Sequence, residues 1–168
     1  MLSLKKMNLH EDYFRSIMFG LQDGLVSTTG VVVGISAGVS DRAIIILASF
    51  VAVSVEASSM AAGQYSSEKA VHQMDKSGKH TDSLIKGALL MFFSYLGAGL
   101  IPITPFLIFP PDTARPFSIV AALIGLFAIG FLKGKIVKLG ALRSAVEMFI
   151  IGGFATAVGL IVGTFLKV

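Results

Sequence analysis

The chain contains no cysteine. That absence excludes a disulfide framework, a thiolate metal site and a dithiol redox couple. Any metal must be held by oxygen, imidazole or thioether ligands. Charge is scarce as well. Charged residues make up 14% of the 168, where soluble domains carry about 25%. Also missing are short enzyme signatures: there is no HExxH, no GxSxG and no glycine-rich phosphate loop. The three histidines, His10, His72 and His80, stand in polar segments without a catalytic partner pattern. The sequence reads as a non-enzyme with no resident cofactor.

What is abundant is apolar. Hydrophobic residues are 54% of the chain, and the mean hydropathy is +0.81. A soluble core could not absorb that much apolar sequence, so lipid must be the solvent for much of it. The net charge of +4 does not indicate nucleic acid, because the basic residues punctuate apolar blocks and form no continuous patch. Lys5 and Lys6 precede an apolar run in the manner of a signal peptide. His10, Glu11, Asp12, Arg15 and Asp23 interrupt that run, so no cleaved leader is expected.

A bilayer core of about 30 Å needs about 20 apolar residues of helix. Five segments meet the test, at about 15–39, 43–67, 84–109, 116–132 and 144–166. Backbone in lipid must satisfy its own hydrogen bonds, and strand alternation is missing, so each span should be α-helical. The expected fold is an all-α integral membrane protein with five transmembrane helices. Pro102 and Pro105 should kink the third span, and Pro110 and Pro111 should end it. The fourth is the shortest, flanked by Arg115 and Lys133.

With the N-terminus inside, every lysine and arginine except Arg42, Arg115 and Lys167 falls on the inner side. The positive-inside rule therefore places the N-terminus in the cytoplasm and the C-terminus outside. Residues 1–14 form a cytoplasmic segment, and 15–168 the membrane domain, with a short linker at 70–82. An odd number of spans leaves no simple internal two-fold repeat, so a symmetric pathway would come from a dimer.

Three acids stand where lipid should be: Asp23, Glu56 and Glu147. A mid-membrane carboxylate costs several kcal/mol and usually faces the bundle interior with a job to do. The plain alternative is a protonated acid bonded to a neighbour. From the cytoplasmic face Asp23 lies about 12 Å deep, Met60 about 10 Å and Glu56 about 16 Å. Asp23 and Met60 thus share a level if spans one and two pack side by side. Glu56, Met60 and Gln64 make one stripe, and Asp23, Ser27, Gly30 and Gly34 another, with Thr28 and Thr29 nearby. Oxygen ligands beside one thioether suit a softer divalent transition metal better than magnesium or calcium. Binding to carboxylates displaces protons, which is the chemistry of an antiporter. Absence of Arg or Lys within the spans argues against anionic substrates.

The bland readings differ by residue. Met60 alone would be packing. The glycines of span one, Gly20, Gly24, Gly30, Gly34 and Gly38, read first as a helix-packing surface, within the chain or at a dimer interface. Glu147 should snorkel to the cytoplasmic interface or pair with a lysine. Glu68 should be solvated at the membrane surface. His72, Met74, Asp75, His80 and Asp82 in the linker read first as an ordinary polar turn, and second as a metal-catching mouth.

Particular segments resemble the vacuolar iron transporter family: FGLQDGLVSTTGVVVGISAG (Phe19 to Gly38), SSMAAGQYSSEKA (Ser58 to Ala70), LGAGLIPITPFLI (Leu96 to Ile108) and RSAVEMFIIGGFATAVGLIVG (Arg143 to Gly163). The DGLVS and SMAAGxY runs are the most specific. The resemblance implies a five-helix protomer in a homodimer, with the pathway at the two-fold axis. It implies export of ferrous iron, with manganese often beside it, from the cytoplasm against inward protons. The family's pathway aspartate falls on Asp23 and its pathway methionine on Met60. Where some members carry an acid eight residues before that methionine, this chain has Ala52, and its acid is Glu56, one turn later. A glutamate of other members is Gln64 here. The glutamate-rich cytosolic domain that many members insert between helices two and three is replaced by about a dozen linker residues. The brevity suits a bacterial or archaeal cell membrane. The competing readings are a non-transporting membrane scaffold and a transporter of some other cation.

Overall fold

The computed structural model describes residues 11–74, 83–138 and 140–167. They form five helices: α1 (Glu11–Gly38), α2 (Arg42–Met74), α3 (Leu84–Ile108), α4 (Pro111–Val137) and α5 (Ala141–Phe165). All five are long and apolar enough to cross a membrane. Large apolar side chains such as Leu47, Val55, Ile124, Ile150 and Phe154 point outward, the expected surface of a bundle whose solvent is hydrocarbon. This is a multi-pass membrane protein.

Helix ends follow local chemistry. The Asp41 carboxylate caps α2 by accepting from the backbone N–H of Ala43 at 2.7 Å and of Ile44 at 3.2 Å. Ser83 caps α3. Pro110 and Pro111 do end α3, but they also begin α4, with Pro111 in the first turn where its missing N–H costs nothing. The fourth helix is therefore longer than its apolar block of 116–132, running on past Lys133 and Lys135. It stops at Lys138, which takes the left-handed conformation at φ 61°.

Pro102 and Pro105 lie inside one continuous α3. The buried Ser118 hydroxyl of α4 ties that stretch to its neighbour by donating to the Pro102 carbonyl at 2.6 Å. Two further ties come from Arg42 and Arg115. Arg42 donates through Nε to the Phe106 carbonyl at 2.7 Å and through Nη2 to that of Leu107. Arg115 donates to the hydroxyl of Ser36 at 3.0 Å and to its carbonyl. Each guanidinium thus covers orphan carbonyls at the C-terminal end of another helix, where positive charge is also favoured by the helix dipole.

Helix α1 is the hub and touches all four others. Its glycines divide between two neighbours. A Cβ on Gly20 would meet the Met91 carbonyl at 2.8 Å, and one on Gly24 would strike the backbone of Tyr95, both on α3. Gly30, Gly34 and Gly38 face Ala155, Gly159 and Gly163 of α5 instead. The expected packing surface is thus used within the chain. Helix α2 rests mainly on α3 and touches α1 more sparingly. One core joins Val32, Val53, Ala57, Tyr95, Ile103 and Phe106. A second joins Leu25, Ala98, Ala122, Leu126 and Met148.

Candidate functional site

Close approach of α1 to α3 at Gly24 sets Tyr95 beside Ser27. The Tyr95 hydroxyl donates to Oε2 of Glu56 on α2, and its oxygen lies against that of Ser27. Ser27 in turn donates to the same Oε2 at 3.2 Å. Three helices therefore meet on one carboxylate oxygen. Oε1 of Glu56 accepts no hydrogen bond from a described residue. A carboxylate receiving two hydroxyl donors inside a bundle is satisfied on one side and open on the other.

Asp23 sits one turn before Ser27 on α1, half-buried, within electrostatic reach of both Glu56 and Tyr95. It makes no hydrogen bond or ion pair with a described residue. Met60 stands one turn past Glu56, partly buried against the core that contains Tyr95. The level of these two follows from the contacts on either side. Ser27 bonds Glu56 in the membrane interior, and Arg15 pairs with Glu68 near the N-terminal end of α1. From one pair to the other the two antiparallel helices advance by equal steps. On that shared register Asp23 falls opposite Met60.

The stripe on α2 is real and longer than the sequence suggested. Glu56, Met60, Gln64, Glu68 and His72 recur every fourth residue, and none of them is fully exposed. Gln64 takes no part in the Glu56 cluster. It donates to the Ser16 hydroxyl at 3.0 Å and to Glu68 at 3.2 Å. Glu68 is buried, at 8% exposure, where a solvated surface acid was expected. The Arg15 guanidinium that α1 brings to it is the reason.

The α1 stripe splits. Asp23 and Ser27 face the cluster, while Gly30 and Gly34 belong to the α5 contact. Thr28 and Thr29 turn into the core. Thr29 donates to the Leu25 carbonyl, and the Thr28 hydroxyl has no partner among the described residues. Glu147 lies on the exposed face of α5, away from Glu56, with no lysine partner among the described residues. In the linker, His72 and Met74 belong to α2, whereas Asp75, His80 and Asp82 lie outside the described residues, as do Lys5, Lys6, His10, Lys76 and Lys79.

Two features were missed. Tyr95 was passed over inside the apolar α3 block, although a tyrosine at membrane depth needs a partner for its hydroxyl. Glu68 continues the α2 stripe one turn beyond Gln64, but its partners Arg15 and Ser16 lie on α1, where that stripe gives no signal.

No three His, Asp or Glu side chains among the described residues converge as a metal cage. The donor set is sparse: one unpaired carboxylate, one half-satisfied carboxylate, hydroxyls and a thioether. Comparison with known proteins places the chain. A plant protein, vacuolar iron transporter homolog 2 of Arabidopsis thaliana, is 25% identical over 157 residues, covering 87% of this chain and 80% of that protein. The model of the VIT family matches residues 14–83 and 71–164, and the chain belongs to that family.

Proposed function

We propose that this protein carries a divalent transition metal across the membrane in exchange for protons, with ferrous iron as the first substrate and manganese as the second. The observation that carries the reading is Asp23: a carboxylate at membrane depth, without a bonding partner among the described residues, on the level of the Met60 sulfur and beside Glu56. An ionisable residue held at that depth marks an ion or proton pathway. The thioether biases the choice toward a softer metal. The name of the Arabidopsis relative supports iron.

In this reading Asp23 and Met60 supply the first ligands, and Oε1 of Glu56 a further one. Ser27 and Tyr95 orient Glu56. Protons leave as the metal binds, because carboxylates ligate in their ionised form. Proton return from the other side resets the site. Lysine and arginine distribution supports a cytoplasmic N-terminus and outward export. A homodimer in a bacterial or archaeal cell membrane is the proposed setting.

The test is flux. Asp23→Ala and Met60→Ala proteins are reconstituted, and ferrous iron uptake is followed under an imposed proton gradient. Transport should fall to the protein-free background in Asp23→Ala and markedly in Met60→Ala. Wild-type flux in both variants removes the proposal.

A further inference from the structure

We infer that the face made by α2 and α3, on the side of the membrane where their linker lies, is a seat for one anionic phospholipid. Its acyl chains fill two apolar grooves, and its phosphate is held by Lys69 and Lys86. The inference rests on the membrane fold and not on the transport reading.

The grooves share a ridge. Leu89 and Phe93 stand one turn apart on α3, 50% and 64% exposed. Phe92 packs edge-on against Phe93, with ring centroids 5.2 Å apart, and props its ring. On one side of the ridge a groove of about 500 Å³ runs between α2 and α3, lined by Ala61, Ala62, Tyr65, Ile85 and Ala88. The alanines make the hollow, because their short side chains lie between bulky neighbours. On the other side a groove of about 320 Å³ is lined by Tyr13, Lys86 and Leu90. Two apolar channels about one ridge fit the two chains of a diacyl lipid.

Charge decides which lipid. The Lys69 ammonium lies 6.0 Å from the centroid of the Tyr65 ring, which lines the first groove, and Lys86 lines the second. Neither lysine pairs with an acid among the described residues, and Glu68, beside Lys69 in sequence, is engaged by Arg15. Two uncompensated positive charges therefore stand at the rim. Leu89 and Phe93 lie three and seven residues further along α3 than Lys86, about 4.5 and 10 Å deeper. Phosphate at the surface and hydrocarbon below is the order of a phospholipid, and the lysine stems can lie along the groove walls with their ammonium groups in the headgroup layer. The Tyr65 hydroxyl, on a half-exposed ring at the same level, can donate to the headgroup. A zwitterionic lipid brings its own cation to these lysines and gains less. Tyr65 is also nine residues past Glu56, half a turn round α2. The seat thus leaves the Glu56 face of α2 open to the proposed partner protomer.

The test counts bound lipid. Purified protein in detergent is titrated with phosphatidylglycerol or with phosphatidylcholine of identical chains, and retained lipid is read by native mass spectrometry. Phosphatidylglycerol should bind about tenfold or more tighter, as two lysines at a membrane surface allow. Lys69→Ala with Lys86→Ala should bring it down to the phosphatidylcholine level. Both lysines are exposed, and Lys69→Gln with Lys86→Gln repeats the arm with a longer side chain kept. Lys133→Ala with Lys135→Ala removes the same charge from the end of α4 on the same side and should keep the preference. Ala62→Trp fills the first groove, leaves the lysines in place and should weaken retention of both lipids. Glycerol 3-phosphate, which has the phosphate without the chains, should not displace the lipid. Equal binding of the two lipids to wild type overturns the seat, and so does a preference that survives loss of Lys69 and Lys86. A preference lost as fully in the α4 control makes the effect one of net charge and overturns it too. Unchanged retention in Ala62→Trp, or displacement by glycerol 3-phosphate, removes the role of the grooves and with it the proposal. The flux test of Asp23 stands or falls separately.

Discussion

The contact between Gly24 and Tyr95 links packing to the site, so Gly24→Ala is the sharpest perturbation of both. A Cβ on Gly24 would stand 3.0 Å from the Tyr95 Cα and carbonyl carbon, with the carbonyl oxygen nearer still. Ordinary contact begins near 3.4 Å, so α1 and α3 must separate by several tenths of an ångström. The obstacle is backbone, which cannot rotate aside as a flexible side chain would. Overpacking of this kind costs about 1–3 kcal/mol. The retreat of α3 also draws the Tyr95 hydroxyl away from Glu56 and Ser27, and each weakened bond adds up to about 1 kcal/mol. The expected loss is about 2–4 kcal/mol. At about 2–4 °C per kcal/mol for a chain of this size, the midpoint in detergent should fall by roughly 5–15 °C. Gly63→Ala and Gly97→Ala are the controls, because nothing lies within 4 Å of a Cβ at either position. They should show no loss. Manganese should also protect Gly24→Ala less than wild type, since the oriented oxygen of Glu56 is disturbed. A Gly24→Ala midpoint equal to that of the controls would refute the reasoning that close α1–α3 approach builds the site.

Two further outcomes test the ties around the site. Thr28→Val removes a buried hydroxyl that has no partner among the described residues. It should leave the midpoint unchanged or raise it, by up to about 1 kcal/mol, and a clear fall in thermal unfolding would show that the hydroxyl is bonded after all. Arg42→Ala uncovers the Phe106 and Leu107 carbonyls at the end of α3. It should cost about 1–2 kcal/mol in the same assay, and Arg42→Lys, which keeps charge but loses the fork, should recover only part of that.

Some features were legible because they follow from one helix at a time. Each span is an apolar block longer than a bilayer, and helix is the one structure that satisfies an isolated span in lipid. The shared level of Asp23 and Met60 needed only a rise per residue and the assumption that α1 and α2 run side by side. The α2 stripe needed only a period of four. What was not legible depends on which helix faces which. Periodicity puts Gly24 and Gly30 on α1 without saying that one receives α3 and the other α5. It shows Tyr95 on α3 without revealing that the α1–α3 crossing carries its hydroxyl to Glu56. The burial of Glu68 could not be read from α2 alone, because the compensating charge comes from α1. Arg42 and Arg115 were counted as loop charges that fix orientation. Their structural work is to cover carbonyls of helices remote in sequence.

The sparseness of the donor set is itself an argument about mechanism. A resident metal asks for a closed cage with every ligand pre-oriented, and among the described residues no such group exists. A transported ion asks for the opposite, a site attractive enough to enter and poor enough to leave. In the proposed function the cluster meets both demands with different residues. Ser27 and Tyr95 hold one oxygen of Glu56 firmly, so part of the site is fixed before any ion arrives. Asp23 makes no hydrogen bond with a described residue, and Met60 is a weak, flexible donor. A third fixed carboxylate would deepen the well and slow release. Loss of the Tyr95 hydroxyl would leave the ion nothing rigid to find. In the proposed cycle the fixed half of the site sets selectivity, and the mobile half, Asp23 with Met60, sets the rate at which the ion departs.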